Sequence, residues 1–182
     1  AVAAMAVATA TQVTEVEMAA EMAADHARVA LVAGATGLVG QEILAVLLAD
    51  KAYTSVHVLG RRALARKHAK IIEHIVDFGA LPKLPRVDDC FIALGTTIKT
   101  AGSQAAFEAV DLTAVEAVAR AALAAGATKL GVVSAMGADS QSRVFYNRVK
   151  GAMEASLSCM GFKSLVIARP SMLDGQRAAL NQ

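Results

Sequence analysis

The sequence predicts an α/β fold, a doubly wound parallel sheet in a single domain with an N-terminal helical extension, and three observations carry that expectation. From Arg28 onward, apolar runs of strand length alternate with helical patterns. The first run, in VALVAGATGLVG at 29–40, feeds into three glycines spaced three apart, and an amphipathic pattern follows. The chain has 182 residues, enough for one domain that buries roughly 70% of the surface its unfolded form exposes. Alternation of this kind argues for parallel strands joined by right-handed crossovers.

Residues 1–27 precede the first strand and form the extension. Thr14 to Glu17 fits a capping box, and TEVEMAAEMAADH then reads as a short helix. It is either a docking helix or oligomer contact, through which a protein partner or a second copy would bind, or a partly frayed tail. Residues 28–182 form the nucleotide-binding domain. Strands are expected near 28–33, 55–60, 71–76, 89–94, 128–134 and 164–168, and helices near 39–50, 104–125 and 144–160. Gly126 is placed to stop the helix over 104–125. The segment 61–70 reads as a helix or a basic loop.

The glycine turn has a separate job for each glycine if a dinucleotide binds there. Gly34 permits the tight turn off the strand, Gly37 lets bare backbone approach a pyrophosphate, and Gly40 lets the new helix pack closely. Thr36, Leu38 and Val39 complete the turn and open the helix, whose first N–H groups and partial positive charge suit a diphosphate. A loop that merely needs flexible backbone is the alternative. The strand ending VHVLGRR lacks the acidic residue that NAD sites place on the adenosine ribose. Arg61 and Arg62 instead offer guanidinium groups that suit a 2′-phosphate, so NADP(H) is favoured over NAD(H).

Farther along, Ser134 closes the apolar run LGVVSAMGA, and twelve residues later YNRVK places Tyr146 and Lys150 four apart, on one helix face. Here the chain resembles the short-chain dehydrogenase/reductase family, whose Ser, Tyr and Lys triad has this order and much this spacing. The GxxGxxG pattern is similar to its extended or atypical branch. LGTTIKT, YNRVKG and ARPSML are similar to small Rossmann proteins related to the Tat-interacting-protein oxidoreductases, often labelled epimerase-like. The resemblance runs from about Arg28 to Leu173.

That resemblance implies a Rossmann fold and a set of roles. Tyr146 would donate a proton to a carbonyl, Ser134 would hydrogen-bond the carbonyl oxygen, and Lys150 would activate the phenol and bind the nicotinamide ribose. Leu94, Gly95, Thr96 and Thr97 would line the pyrophosphate and ribose. Asp77 and Phe78 would hold the adenine amino edge, although Asp77 serves equally well as a turn former. The electrostatics are sufficient in magnitude. Lowering a phenol from about pKa 10 to about 7 needs roughly 4 kcal/mol, and one ammonium about 4 Å away at an effective dielectric near 20 contributes about 4 kcal/mol. Extended members often carry Asn where AVDLTAV places Asp111, so a relay role is not carried over, and Asp111 is expected to cap or hydrogen-bond within its helix. Twelve residues follow Pro170, whereas this branch builds much of its substrate pocket beyond that point. A minimal site, a lost C-terminal part and a partner that completes the pocket all stay open.

Composition narrows the rest. The formal charge of +2 suggests no polyanion partner, although Arg61, Arg62, Arg66, Lys67 and Lys70 crowd together. Aromatic residues are few, which argues against a stacking surface for nucleic acid. No apolar run approaches the ~20 residues of a membrane span. Cys90 and Cys159, both expected to behave as small apolar residues, suit a reducing compartment. The alanine-rich start lacks the basic residues of a signal or transit peptide, so the expected location is cytoplasmic. His26, His57, His68 and His74 show no metal-ligand spacing, no GxSxG elbow appears, and the methionines read as core filler. Two functions follow: an NADP(H)-dependent reductase or dehydrogenase acting on a small carbonyl or alcohol, or an NADP(H)-binding regulatory or scaffold protein with little turnover. The triad favours the first, and the short C-terminus and extra N-terminal helix the second.

Overall fold

A computed structural model describes residues 27–171; the helix expected over Thr14 to His26 lies outside the described residues. In chain order the elements are β1 (Arg28–Ala33), α1 (Leu38–Ala49), β2 (Tyr53–Gly60), β3 (Ile71–Ile75), β4 (Asp89–Ile92), α2 (Ile98–Ala101), α3 (Gln104–Glu108), a π-helical segment (Ala109–Ala114), α4 (Val115–Ala124), β5 (Lys129–Val133), α5 (Phe145–Ser158) and β6 (Ser164–Ala168). The strands form one six-stranded sheet in the order β3-β2-β1-β4-β5-β6. Every pairing is parallel. The direction of winding reverses between β1 and β4, and in such sheets ligands bind in the crevice at the carboxyl ends of the strands there.

Alternation along β1 sends its side chains to two cores. Ala30 and Val32 meet Leu44, Leu47 and Leu48 of α1 together with Val56 and Val58 of β2. Leu31 and Ala33 face the other way, toward Val115, Val118, Ala119 and Ala122 of α4 and Met153 and Leu157 of α5. Helices therefore lie on both faces of the sheet. On the α1 face, a recess of about 330 Å³ opens beside Ile43, Phe91, Gly131, Val133 and Val166. Neither the glycine turn nor the helix carrying Tyr146 and Lys150 lines it.

Several expectations are corrected. The helix expected over 104–125 is three successive segments, with a π-helical turn at Ala109–Ala114. A π turn inserts one extra residue into a helix, a change that a hydrophobic period near 3.6 does not register. Segment 61–70 is a loop. Glu73 ties it down, accepting from Leu64 N–H at 3.0 Å and pairing with Lys67 at 2.6 Å. Lys70 donates to the carbonyls of Leu48 and Asp50 at the end of α1, a favourable place for a cation. Cys159 is exposed rather than packed, whereas Cys90 is buried and burial pushes its thiol well above the usual range. Met153 is core, but Met136 is exposed. His57 and His74 share a 2.8 Å hydrogen bond and stack. No group of three metal-ligating side chains exists among the described residues.

Candidate functional site

The turn after β1 is shaped by two contacts between backbones. Gly34 has φ +92°, and a Cβ there would lie 2.4 Å from the Ala93 carbonyl oxygen, so the turn presses against the end of β4. A Cβ on Gly40 would lie 2.0 Å from the Gly34 carbonyl oxygen. Both positions are glycine because the protein itself leaves no room. Gly37 is different. It caps α1 in extended backbone, φ −79° and ψ 164°, and among the described residues beyond its chain neighbours the nearest atom to its missing Cβ is the Gly34 carbonyl oxygen at 3.4 Å. Among the described residues no side chain caps the first turn of α1, so its N–H groups face what approaches from outside the helix. Thr36 is exposed at the turn and its carbonyl accepts from Gln41, while Leu38 and Val39 are half-buried in the first turn.

The flanking strands deliver the remaining residues to the same edge. Ala33 pairs with Leu59 on one side and Ile92 on the other. Arg61 and Arg62, both exposed, follow immediately beyond β2, one strand spacing from the glycine turn. Asp77 is exposed beyond β3; its carboxylate accepts from Gly79 N–H at 2.9 Å, which makes it a turn former, and Phe78 packs on the core. Beyond β4, Leu94 is partly buried against that core. Thr97 caps α2, accepting from Thr100 N–H at 3.0 Å.

Asp111 does not cap its own helix, contrary to expectation. From the π turn its carboxylate reaches across to two other elements: Oδ2 accepts from Thr96 N–H at 2.9 Å, and Oδ1 lies 2.7 Å from Lys150 Nζ of α5. Asp111 is 1% exposed and Lys150 4%. Gly95 lies over the pair, its missing Cβ 3.4 Å from Oδ1 and 4.0 Å from Nζ. The extra residue of the π turn places Asp111 inward beside Ala114, and such turns recur at functional sites. Tyr146, one helical turn before Lys150, packs its ring against Phe107 with centroids 5.4 Å apart.

Ser134 directly follows β5. Its buried Oγ makes no well-directed hydrogen bond among the described residues and lies against the Glu154 carboxylate. Burial alone would raise the Glu154 pKa, but Arg169, Ser134 and Lys150 together hold it below the usual carboxylate value. Arg169 grips it with Nε 3.0 Å from Oε1 and 3.2 Å from Oε2. Glu154 follows Tyr146 by eight residues, about 12 Å along a helix axis, and helical side chains lean toward the N-terminus. Tyr146, Lys150 and Glu154, spaced four apart, share one face of α5, and Ser134 and Arg169 meet Glu154 at the far end of that row. Glu154 and the structural role of Asp111 were missed from sequence; the spacing of Glu154 four residues after Lys150 was the available signal.

No family model matches the chain. Against the mitochondrial protein FMP52-1 of Scheffersomyces stipitis it is 34% identical over 156 residues, covering 81% of this chain and 68% of that one. Against mitochondrial fmp52 of Emericella nidulans it is 35% identical over 161 residues, covering 83% and 69%. The chain belongs to the FMP52 family. Solved structures agree on the fold. A Bacillus cereus UDP-glucuronic acid 4-epimerase in complex with NAD matches with a TM-score of 0.64 at 15% identity, over 82% of this chain and 58% of that one. A short-chain dehydrogenase/reductase family oxidoreductase from Burkholderia thailandensis matches with a TM-score of 0.61 at 22% identity, over 80% and 68%. MoeE5 in complex with UDP-glucose and NAD gives 0.61 at 18%, over 76% and 52%. The chain thus spans little more than half the length of two of these structures.

These structures, which include an epimerase and a short-chain dehydrogenase/reductase, show that the chain shares their Rossmann-like fold. FMP52 membership overturns the cytoplasmic expectation, because the FMP52 relatives are named as mitochondrial. Lack of a basic leader at the start of the sequence does not carry a location. No helix among the described residues is long and apolar enough to cross a membrane.

Proposed function

We propose that the chain binds NADP(H) across the carboxyl ends of β1 and β4 and moves hydride between the nicotinamide and a small carbonyl or alcohol. Gly37 carries the binding half of this reading. Its backbone is ordinary and its surroundings would accept a side chain, so a ligand is the remaining physical reason for a bare position there. The uncapped first turn of α1 would hold the pyrophosphate through its N–H groups. Arg61 and Arg62 would hold the 2′-phosphate, and Thr96 with Lys150 the nicotinamide ribose. Once bound, the cofactor supplies hydride. The chain's own part is the proton: Tyr146 gives it to, or takes it from, the substrate oxygen while Lys150 stabilises the phenolate.

The experiment is a fluorescence titration with NADPH and NADH. Tighter NADPH binding supports the reading, and equal or tighter NADH binding removes the cofactor assignment. One observation favours the second reading, a cofactor-binding regulatory protein with little turnover: the Ser134 hydroxyl lies against the Glu154 carboxylate, which competes with a substrate carbonyl for it. Mitochondrial residence, as in the names of the relatives, belongs to this proposal too and is tested by fractionating cells that express the full chain.

A further inference from the structure

We propose that Asp111 is a positioning residue that fixes the place of Lys150 and cancels much of its charge, and that it thereby sets the acidity of the Tyr146 phenol. The inference deepens the proposed proton chemistry and rests on Tyr146 being its donor. Three elements meet in the underlying geometry: the π turn supplies the carboxylate, α5 the ammonium 2.7 Å away, and the loop beyond β4 the Thr96 N–H at 2.9 Å. An amide at position 111 could still accept from Thr96 N–H. Only a carboxylate neutralises the lysine.

Charges around Lys150 leave Asp111 as its principal partner. Glu154 faces it from its own helix, but Arg169 beyond β6 already grips that carboxylate at two oxygens. Arg148 is turned toward Ser142 O and the Phe145 ring. Phe107 of α3 contributes an uncharged ring against Tyr146. A free ammonium near the phenol would stabilise its anion strongly, whereas an ammonium in contact with a buried carboxylate acts as part of a nearly neutral pair. The pair therefore holds Tyr146 protonated to a higher pH than an isolated lysine would, as suits a proton donor.

The test reads tyrosine ionisation in the cofactor-free protein, so it stands whether or not NADPH binds. The chain has two tyrosines and no tryptophan. Burial, with help from Asp89, pushes the Tyr53 phenol far above its ordinary value, so the first step in tyrosinate absorbance belongs to Tyr146, as its loss in Tyr146→Phe will verify. Asp111→Asn is expected to lower that midpoint by about one unit. Lys150→Met should raise it, and Asp111→Asn combined with Lys150→Met should return it close to wild type. An unchanged or raised midpoint in Asp111→Asn overturns the proposal. If that single variant fails to fold, the double variant decides, since it removes both buried charges together. A double variant that titrates like Lys150→Met also overturns it.

Discussion

A Cβ on Gly40 would sit 2.0 Å from the Gly34 carbonyl oxygen, a backbone atom that cannot move without breaking the contact between the β1 turn and the end of β4. The same addition at Gly37 meets that oxygen at 3.4 Å, an ordinary contact. The two glycines should therefore fail differently. Gly40→Ala is expected to cost about 2–4 kcal/mol of stability through backbone overpacking, read from urea denaturation. Gly37→Val should melt within a few degrees of wild type and lose NADPH affinity by about tenfold or more, near 1.4 kcal/mol. A Gly37→Val protein that binds NADPH as wild type would place any ligand elsewhere.

The register of β1 against β2 predicts cofactor choice. Leu59 pairs with Ala33, so the chain leaves β2 toward Arg61 beside the glycine turn, while Lys67 and Lys70 are committed to Glu73 and to the end of α1. Replacing Arg61 and Arg62 together by Ala should weaken NADPH by about tenfold or more and leave NADH nearly unchanged, because only the former carries a 2′-phosphate. Equal losses for both cofactors would mean that the arginines act through general charge.

His57 and Glu154 contribute to the acid side of the stability profile in separate windows. Burial, and then His74, lower the pKa of His57 below its usual 6.5. The unfolded chain therefore takes up a proton first, and stability should start to fall as pH drops below about 6.5. Glu154, held below its usual 4.5, contributes stability above that value and loses it as pH falls through the lower folded value. His57→Gln should flatten the decline of the urea midpoint between about pH 6.5 and 5. Arg169→Ala should lower the urea midpoint only modestly near neutrality, because Arg169 is exposed and its pairing is screened, and should leave Glu154 to burial, which raises its pKa. A Glu154 that still titrates low in that variant would assign the shift to Ser134 and Lys150.

The elements around the glycine turn were legible because each has a local cause. Apolar alternation marks the strands, the glycines at 34 and 40 are required by contacts within a few residues or one strand, and Tyr146 and Lys150 share a helix. What the sequence hid depends on contacts that have no local signature. The π turn changes one residue of helical phase, so Asp111 leaves its own helix for Lys150 and Thr96. Ser134 stands at the expected strand end, and its neighbour Glu154 comes from α5, a contact between two elements that no local pattern marks. Asp77 shows the reverse: a turn-forming carboxylate bonding two residues on is local chemistry, weighed from the start beside an adenine contact.

The last prediction separates enzyme from regulator. Tyr146→Phe removes only the phenolic oxygen and keeps the ring that packs on Phe107, so NADPH affinity should change less than about twofold while any NADPH-dependent carbonyl reduction falls by about 10²–10⁴-fold. Lys150→Ala should damage both, since it removes the ammonium beside Asp111, the activating charge and a ribose contact; it also strands a buried carboxylate, so its stability must be measured alongside. A screen of aldehydes, ketones, quinones and nucleotide sugars has to find turnover first. If wild type binds NADPH tightly and reduces none of them, Tyr146 and Lys150 serve a binding site, and the position of Ser134 beside Glu154 is then explained, because a regulator needs no hydroxyl to orient a carbonyl. If turnover is found and Tyr146→Phe keeps it in full, the proton comes from another group, and the buried Asp111–Lys150 pair serves the loop at Thr96 rather than the phenol.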